Sequence, residues 1–253
     1  MTATQPVTPR PAAAVVVARE GEGGIEVFMV RRHIRSEFVP DAFVFPGGSV
    51  KAEDAAVERV PGLCAPAGAG PTTLGSGYRA AALRECFEEA GVLLARRGAE
   101  PLAIPPADVE RFAMQRSALF EGRRTLADIA RAEGLTLATD QLLHWAHWIT
   151  PAAFPKRFDT HFFLAAMPDQ QEAAHDQLET TAGVWITPRD ALAGFARGEF
   201  PIVFATIHQL RELAQLERLD DAWQRFGGRV PRTIMPRVVQ RDGADVIVLP
   251  DEE

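Results

Sequence analysis

Two rhythms of apolar and polar residues divide this chain. In its first part, short apolar runs alternate with turn-forming residues. Ala12 to Arg19, centred on the β-branched Val15-Val16-Val17, predicts a buried strand. Gly21 to Gly24 predicts a turn and Ile25 to Val30 a returning strand, which together make a hairpin. Ala42 to Phe45 predicts a third short strand that Pro46-Gly47-Gly48 ends abruptly. The rhythm changes at Tyr78 to Leu94. There Ala80-Ala81-Ala82-Leu83 opens a proline-free run of good helix formers and predicts one helix. Between these stretches, Lys51 to Val60 predicts a helical turn. Pro61 to Gly77, rich in glycine, proline and alanine, predicts a surface excursion, passive in its plainest reading and a lid in the other.

Beyond a linker at Pro101 to Pro106, Ala107 to Phe120 and Thr125 to Gly134 predict two helices, and the segment 101–140 is a candidate helical cap. Leu143 to Ile149, His161 to Met167 and Glu179 to Thr187 predict strands. Pro188 to Arg197 and Phe204 to Arg218 predict helices, the second with an apolar stripe through Ile207, Leu210, Leu213 and Leu216. Ile234 to Arg241, an Asp242-Gly243 turn and Val246 to Leu249 predict a closing hairpin, a candidate surface for a homodimer.

The 253 residues fit one domain over 11–253 behind a disordered lead-in at 1–10. A hydrophobic content of 47% supplies a core of ordinary size. The net charge of -7 argues against nucleic acid as a partner, which needs a broad basic surface. Cys64 and Cys86 are too few for a disulfide framework. No apolar window reaches membrane-span length, and Pro250-Asp251-Glu252-Glu253 is not a Ser-Lys-Leu address, so the expected location is cytoplasmic.

The candidate chemistry lies on the Tyr78–Leu94 helix. Residues three and four apart share a helix face, so Glu85, Glu88 and Glu89 project together with Arg84 at their flank. A solvated acidic face has the same spacing. Yet like charges on one turn repel by roughly a few tenths of a kcal/mol per pair. Gathering three of them makes sense around a dication, and hard oxygen ligands suit Mg2+ or Mn2+. Arg31, Arg32 and Arg35 end the second strand, and an arginine fork there can hold a phosphate; Arg31 is the preferred candidate. His144 and His147 should face opposite sides of their strand and are read as structural.

Taken together, Phe45-Pro46-Gly47-Gly48 and Arg84-Glu85-Cys86-Phe87-Glu88-Glu89-Ala90-Gly91-Val92 resemble the Nudix box. That signature is a glycine, five residues, a glutamate, seven residues, then Arg-Glu-aliphatic-x-Glu-Glu-x-Gly-aliphatic. The second half matches at every fixed position, with Cys86 in the aliphatic slot. In the first half, five residues after Gly47 lead to Glu53 and five after Gly48 lead to Asp54, and either acid fits. Residues 55–83 stand where the usual box has seven, so the box carries an insertion, at about 55–77. A split box ending Glu-Cys-Phe-Glu-Glu-Ala-Gly-Val-Leu-Leu is similar to the acyl-CoA diphosphatase subgroup of Nudix hydrolases.

The resemblance implies an α/β/α sandwich with a mixed central sheet and extra helices. It implies that Glu85, Glu88 and Glu89 bind Mg2+ or Mn2+, that Arg84 ties the glycine loop to the helix, and that Gly47 and Gly48 let the loop approach metal and phosphates. Similar coenzyme A hydrolases carry an arginine before the Phe-Pro-Gly-Gly turn, here Arg31. They also share an Arg-Phe-Asp-Thr segment, here residues 157–160, which makes Lys156 or Arg157 a candidate phosphate contact and Asp159 a turn residue. Glu179, six residues before Trp185, matches a glutamate that serves some Nudix enzymes as metal ligand or base. The implied reaction is hydrolysis of a pyrophosphate bond in a small nucleotide-containing substrate, CoA or acyl-CoA first. The alternatives are ADP-ribose or a nicotinamide dinucleotide, and, in another class, a Nudix-fold binding module that no longer cleaves.

Overall fold

Val15, Val16 and Val17 have no solvent access. They lie in β1 (Arg10–Gly21), the middle of a mixed sheet covered on both faces. Stiff β-branched side chains suit such a strand, and a continuous apolar run is what two-sided burial requires. A computed structural model of the chain describes residues 7–36, 39–66, 74–176 and 178–252. Residues 1–6 of the expected lead-in and 67–73 of the expected insertion lie outside the described residues.

From β1 the chain passes through β2 (Gly24–Arg32), β3 (Phe43–Val44), β4 (Gly47–Ser49) and α1 (Ala52–Glu58) to α2 (Tyr78–Ala90). Next come β5 (Ala95–Arg97), β6 (Glu100–Pro101), α3 (Val109–Phe120), α4 (Leu126–Glu133) and β7 (Thr136–Leu137). β8 (Leu143–Ile149), β9 (Phe158–Ala166) and β10 (Thr180–Ile186) rejoin the main sheet. α5 (Pro188–Ala196), α6 (Phe204–Leu213) and α7 (Leu219–Phe226) precede β11 (Thr233–Ile234) and the β12 (Arg237–Arg241)–β13 (Ala244–Val248) hairpin.

The main sheet runs β10-β2-β1-β9-β8-β11, with β3 on β2 and β4 on β1. The β1–β9 and β8–β11 pairs are parallel and the others antiparallel. One face buries α2, α3 and α4 through Leu83, Phe87, Phe112 and Ile129; the other buries α5, α6 and α7 through Ala191, Leu210 and Ala222. This is the expected α/β/α sandwich.

Several boundaries differ from the sequence reading. The Tyr78–Leu94 helix ends at Ala90, because Gly91 turns left-handed at φ 70 and its N–H closes on the Phe87 carbonyl. Val92, Leu93 and Leu94 continue into the core as extended chain, where Gln171 bonds the Leu93 backbone on both sides. The helix expected at Phe204–Arg218 ends at Leu213, and a separate α7 starts at Leu219; Leu216, in the break, and Leu219 are both buried. Gly47–Ser49 is not a plain chain break but a strand paired with Ala12–Ala14 of β1. In the segment expected as a helical cap, α3 packs against α2 and α4 against α1. Of the residues that line the cleft described below, their segment supplies Phe120.

His144 and His147 do not face opposite sides of their strand as expected. A bulge in β8 shifts the register between His144 and Ala146, so His144 opposes Phe163 while His147 opposes His161. One extra residue reverses the strand's alternation. His144 and His147 therefore share a face. No helix among the described residues is long and apolar enough to cross a membrane.

Candidate active site

α2 is buried along nearly its whole length, charged residues included. Its alanines let it lie close against β1, which forces Arg84, Glu85, Glu88 and Glu89 into shared, poorly hydrated space. Buried charges persist when paired and hydrogen-bonded. Arg84, 2% exposed, satisfies that condition at the centre of the cluster. Its Nε and Nη2 each donate to Asp54 at 2.9 Å. Its Nη1 donates to Glu85 at 2.5 Å and to Glu88 at 2.8 Å. Nη2 also donates to the Ser49 carbonyl at 2.9 Å, which ties the glycine loop to the helix as expected.

Of the two acids left open by spacing, Asp54 is the one that meets Arg84. It is 1% exposed, whereas Glu53 is exposed. The other Asp54 oxygen interaction is local: Oδ2 accepts the Lys51 N–H at 2.8 Å and caps α1. The described start of the insertion serves α2 in the same way. Glu58 accepts the Gly77 N–H at 2.7 Å and the Ala80 N–H at 3.1 Å, covering two orphan donors of the first turn. At the other end Arg116 donates to the Glu88 carbonyl at 2.9 Å.

The two glycines meet β1 and the helix carboxylates. Glu89 accepts the Gly47 N–H at 2.8 Å. A Cβ on Gly48 would stand 2.5 Å from Glu85 Oε1, and one on Gly47 would stand 2.6 Å from the Ala14 Cβ. The loop lies against both β1 and the carboxylates, with room for hydrogen alone.

Electrostatically the cluster is short of positive charge. Burial pushes the Glu85 carboxyl up to about 7, opposed by Arg84 and helped by Glu88. Burial also raises Glu88 against the pull of Arg84 and Lys51. Glu89 rises well above the carboxylate range through burial and then the Glu85 charge. For Arg84, burial opposes the charge, but the Asp54 hydrogen bonds and the charges of Glu85, Asp54 and Glu88 outweigh it and keep the guanidinium protonated. Asp54, Glu85, Glu88 and Glu89, with Glu179 beside Glu89, thus stand against Arg84, Lys51 and Arg32, an excess that one dication would offset. Nη1 of Arg84 lies between Glu85 and Glu88. Among the described residues, the acids and histidines whose ligand atoms gather within 4.8 Å are elsewhere, at His147, Asp159 and His161.

The α2 carboxylates, Gly47 and Gly48 open onto a cleft of about 880 Å³. Glu179 reaches its wall from the segment before β10, where Asp176 accepts the N–H groups of Leu178, Glu179 and Thr180. Arg31 does not line the cleft. It pairs with Asp41 at 2.9 Å, and its neighbour Arg32 faces the cleft instead. Adjacent strand residues point to opposite faces. The Arg32 Nε is buried with no hydrogen-bond partner among the described residues. Arg157 is likewise buried away from the cleft, donating to the Thr150 and Val7 carbonyls at 3.0 and 2.6 Å, while Lys156 lines it. Lys51, missed by the sequence reading, lines it too, 3.9 Å from Glu88. Aromatic residues, among them Phe120, Trp148, Phe154, Phe158 and Phe204, line the rest, and the C-terminal hairpin adds Ile247.

A sandwich that presents an Arg-Glu-x-x-Glu-Glu helix and a glycine strand to such a cleft defines a Nudix hydrolase, and this chain belongs to that family: residues 71–216 match the NUDT19 Nudix domain. Within the family its likeness is to the acyl-CoA diphosphatase subgroup. It is 26% identical to the human acyl-coenzyme A diphosphatase NUDT19, over all of this chain and 75% of that protein. It is 28% identical to nudix hydrolase 7 of Caenorhabditis elegans, over 94% of this chain and 71% of the other. The crystal structure of a NUDIX hydrolase from Alicyclobacillus acidocaldarius superposes with a TM-score of 0.76 at 31% identity, covering 86% of this chain and 96% of that one. The chain is thus read as an enzyme, not as a binding module that has lost its activity.

Proposed function

We propose that this hydrolase cleaves the pyrophosphate bond of coenzyme A or an acyl-coenzyme A with the help of Mg2+ or Mn2+. The products are adenosine 3',5'-bisphosphate and the (acyl-)4'-phosphopantetheine. The observation that carries the reading is the mixed lining of one cleft: anionic helix carboxylates with Arg32 and Lys51, and a broad aromatic wall. A diphosphate joined to a nucleoside on one side and a long, partly apolar arm on the other fits that lining. The names of the NUDT19 relatives support the same substrate class.

The charge deficit at Glu85, Glu88 and Glu89 fits a hard dication. Such an ion commonly keeps several waters, so three carboxylates need not close tightly on it. When bound, it supplies charge neutralisation on the diphosphate and a lowered pKa for water. The chain's own residues do the rest. Arg84, fixed by Asp54, aims Glu85 and Glu88 at the cleft. Gly47 and Gly48 let phosphate oxygens come close to backbone. Arg32 and Lys51 hold the phosphates; the Nε atoms of Arg31 and Arg32 both lack a hydrogen-bond partner among the described residues, and Arg32 is the one that lines the cleft. The proton from the attacking water goes to Glu179 at the cleft wall or to a carboxylate of the triplet.

The test is a substrate panel. Coenzyme A thioesters, ADP-ribose and nicotinamide dinucleotides are incubated with Mg2+ or Mn2+, and products are identified by mass. Cleavage of the thioesters at the pyrophosphate is expected. Preferential cleavage of ADP-ribose or dinucleotides would reject the substrate assignment while keeping the chemistry. Glu88→Gln and Glu89→Gln should each lower hydrolysis by at least about two orders of magnitude with the fold retained. Unchanged rates in both would remove the metal role.

A further inference from the structure

A second group of ligand atoms lies outside the cleft, on β8 and β9. Asp159 and His161 are two apart on β9 and so share a face, and the β8 bulge brings His147 directly opposite His161. We propose that His147, Asp159 and His161 form a binding site for one first-row transition-metal dication of the zinc class, separate from the α2 carboxylates.

One ligand atom from each of the three residues falls within 4.8 Å of the others. Nε2 of His147 is hydrogen-bonded to Oδ1 of Asp159, and Nε2 of His161 stands 4.0 Å from the same oxygen. The two imidazoles stack with centroids 3.9 Å apart and planes 13° from parallel. The outward nitrogens are already held. Nδ1 of His147 meets the Thr233 hydroxyl at 2.8 Å, and Nδ1 of His161 meets Nε2 of His144 at 2.9 Å. Metal-bound histidines characteristically use the second nitrogen in this way, because it fixes ring orientation and tautomer. A loose surface cluster has no need of such supports.

The site is partly enclosed: the histidine side chains are 15% and 13% exposed and Asp159 is 32% exposed. Two imidazoles and one carboxylate suit zinc, cobalt or nickel better than Mg2+, so the donor set separates this site chemically from the all-carboxylate one. None of the three residues lines the cleft. An ion here, with three protein ligands and an open fourth position, would join β8 to β9 and, through Thr233, to β11. The Tyr78 ring at the start of α2 lies 4.5 Å from the His161 ring, so the same ion would brace the catalytic helix at its first turn.

The test uses Co2+ as a spectroscopic probe on metal-free protein, with calorimetry for stoichiometry and Zn2+ as competitor. Wild type and a Glu88→Gln/Glu89→Gln variant should each show one Co2+ with the intense visible bands of a low-coordinate site, any second Co2+ at the wild-type α2 carboxylates being oxygen-bound and only weakly coloured, and Zn2+ should bleach the intense bands. Asp159→Asn and His147→Gln, with wild-type circular dichroism, should lose the bands. Thr233→Val should weaken binding about tenfold or more. Absence of the bands in wild type would overturn the proposal without recourse to any variant. Persistence in both Asp159→Asn and His147→Gln, or loss in the glutamate variant, would overturn it as well.

Discussion

Replacing Asp54 by alanine isolates the contact that joins the two halves of the split box. The change removes both oxygens that hold Arg84 at 2.9 Å and the oxygen that caps the Lys51 N–H. Breaking a buried charge pair costs about 3–5 kcal/mol, and the lower end applies because Arg84 keeps Glu85 and Glu88. Loss of the helix cap adds about 1 kcal/mol. The expected total of about 4 kcal/mol is a large share of a stability of about 5–15 kcal/mol. For a chain of this size it lowers Tm by about 10 °C. Arg84 would also turn toward the two glutamates, so kcat/KM should fall about tenfold or more, beyond what stability explains. Glu53→Ala, at the acid that also fits the spacing but is exposed, should stay within about 0.5 kcal/mol of wild type. A double-mutant cycle with Arg84→Ala should return a coupling of about 2–3 kcal/mol. Thermal unfolding and steady-state kinetics measure all of this. Wild-type Tm in Asp54→Ala, equal damage from Glu53→Ala, or zero coupling would refute the clamp.

Metal binding at the α2 carboxylates should be pH-linked. Glu85 sits at about 7 and Glu88 and Glu89 are raised, so in the metal-free fold these groups bind protons that the unfolded chain, near 4.5, releases. Their contribution to metal-free stability therefore declines as pH rises from about 4.5 to 7. Mn2+ affinity should rise over the same window, with proton release detectable by calorimetry in buffers of different ionisation enthalpy; a pH-independent affinity would count against it. Gly48→Ala places a Cβ 2.5 Å from Glu85 Oε1 and should weaken Mn2+ binding and turnover at least about tenfold with a small Tm change. Arg32→Ala should lower kcat/KM about tenfold or more, while Arg31→Ala should leave it nearly unchanged; the reverse order would restore Arg31 as the phosphate contact.

Local signals reached part of this site. The helix of the box is legible because alanine-rich propensity, the Arg-Glu-x-x-Glu-Glu spacing and Gly91 all act within a few turns of chain. Thr125 and Gly134 bracket α4 for the same reason, as a capping box and a left-handed cap. Parity was not legible. Arg31 and Arg32 are neighbours on one strand, and which of them faces the cleft follows from sheet pairing, not from composition. A single bulged residue in β8 likewise moved His144 onto the face of His147. Partners distant in sequence were the other omission. Asp54 and Glu53 are equal on spacing, and burial against Arg84 thirty residues away separates them. The Glu58 and Arg116 contacts at the two ends of α2 have no local signature.

The bidentate grip of Asp54 on Arg84 rejoins through side chains a motif that the backbone leaves open. Closing a longer flexible loop costs only about 0.6 kcal/mol for each doubling of its length. That freedom stops where the intervening chain is built into the fold: Glu58 holds the first turn of α2, and Val57, Leu63 and Ala80 to Leu83 are buried in the core.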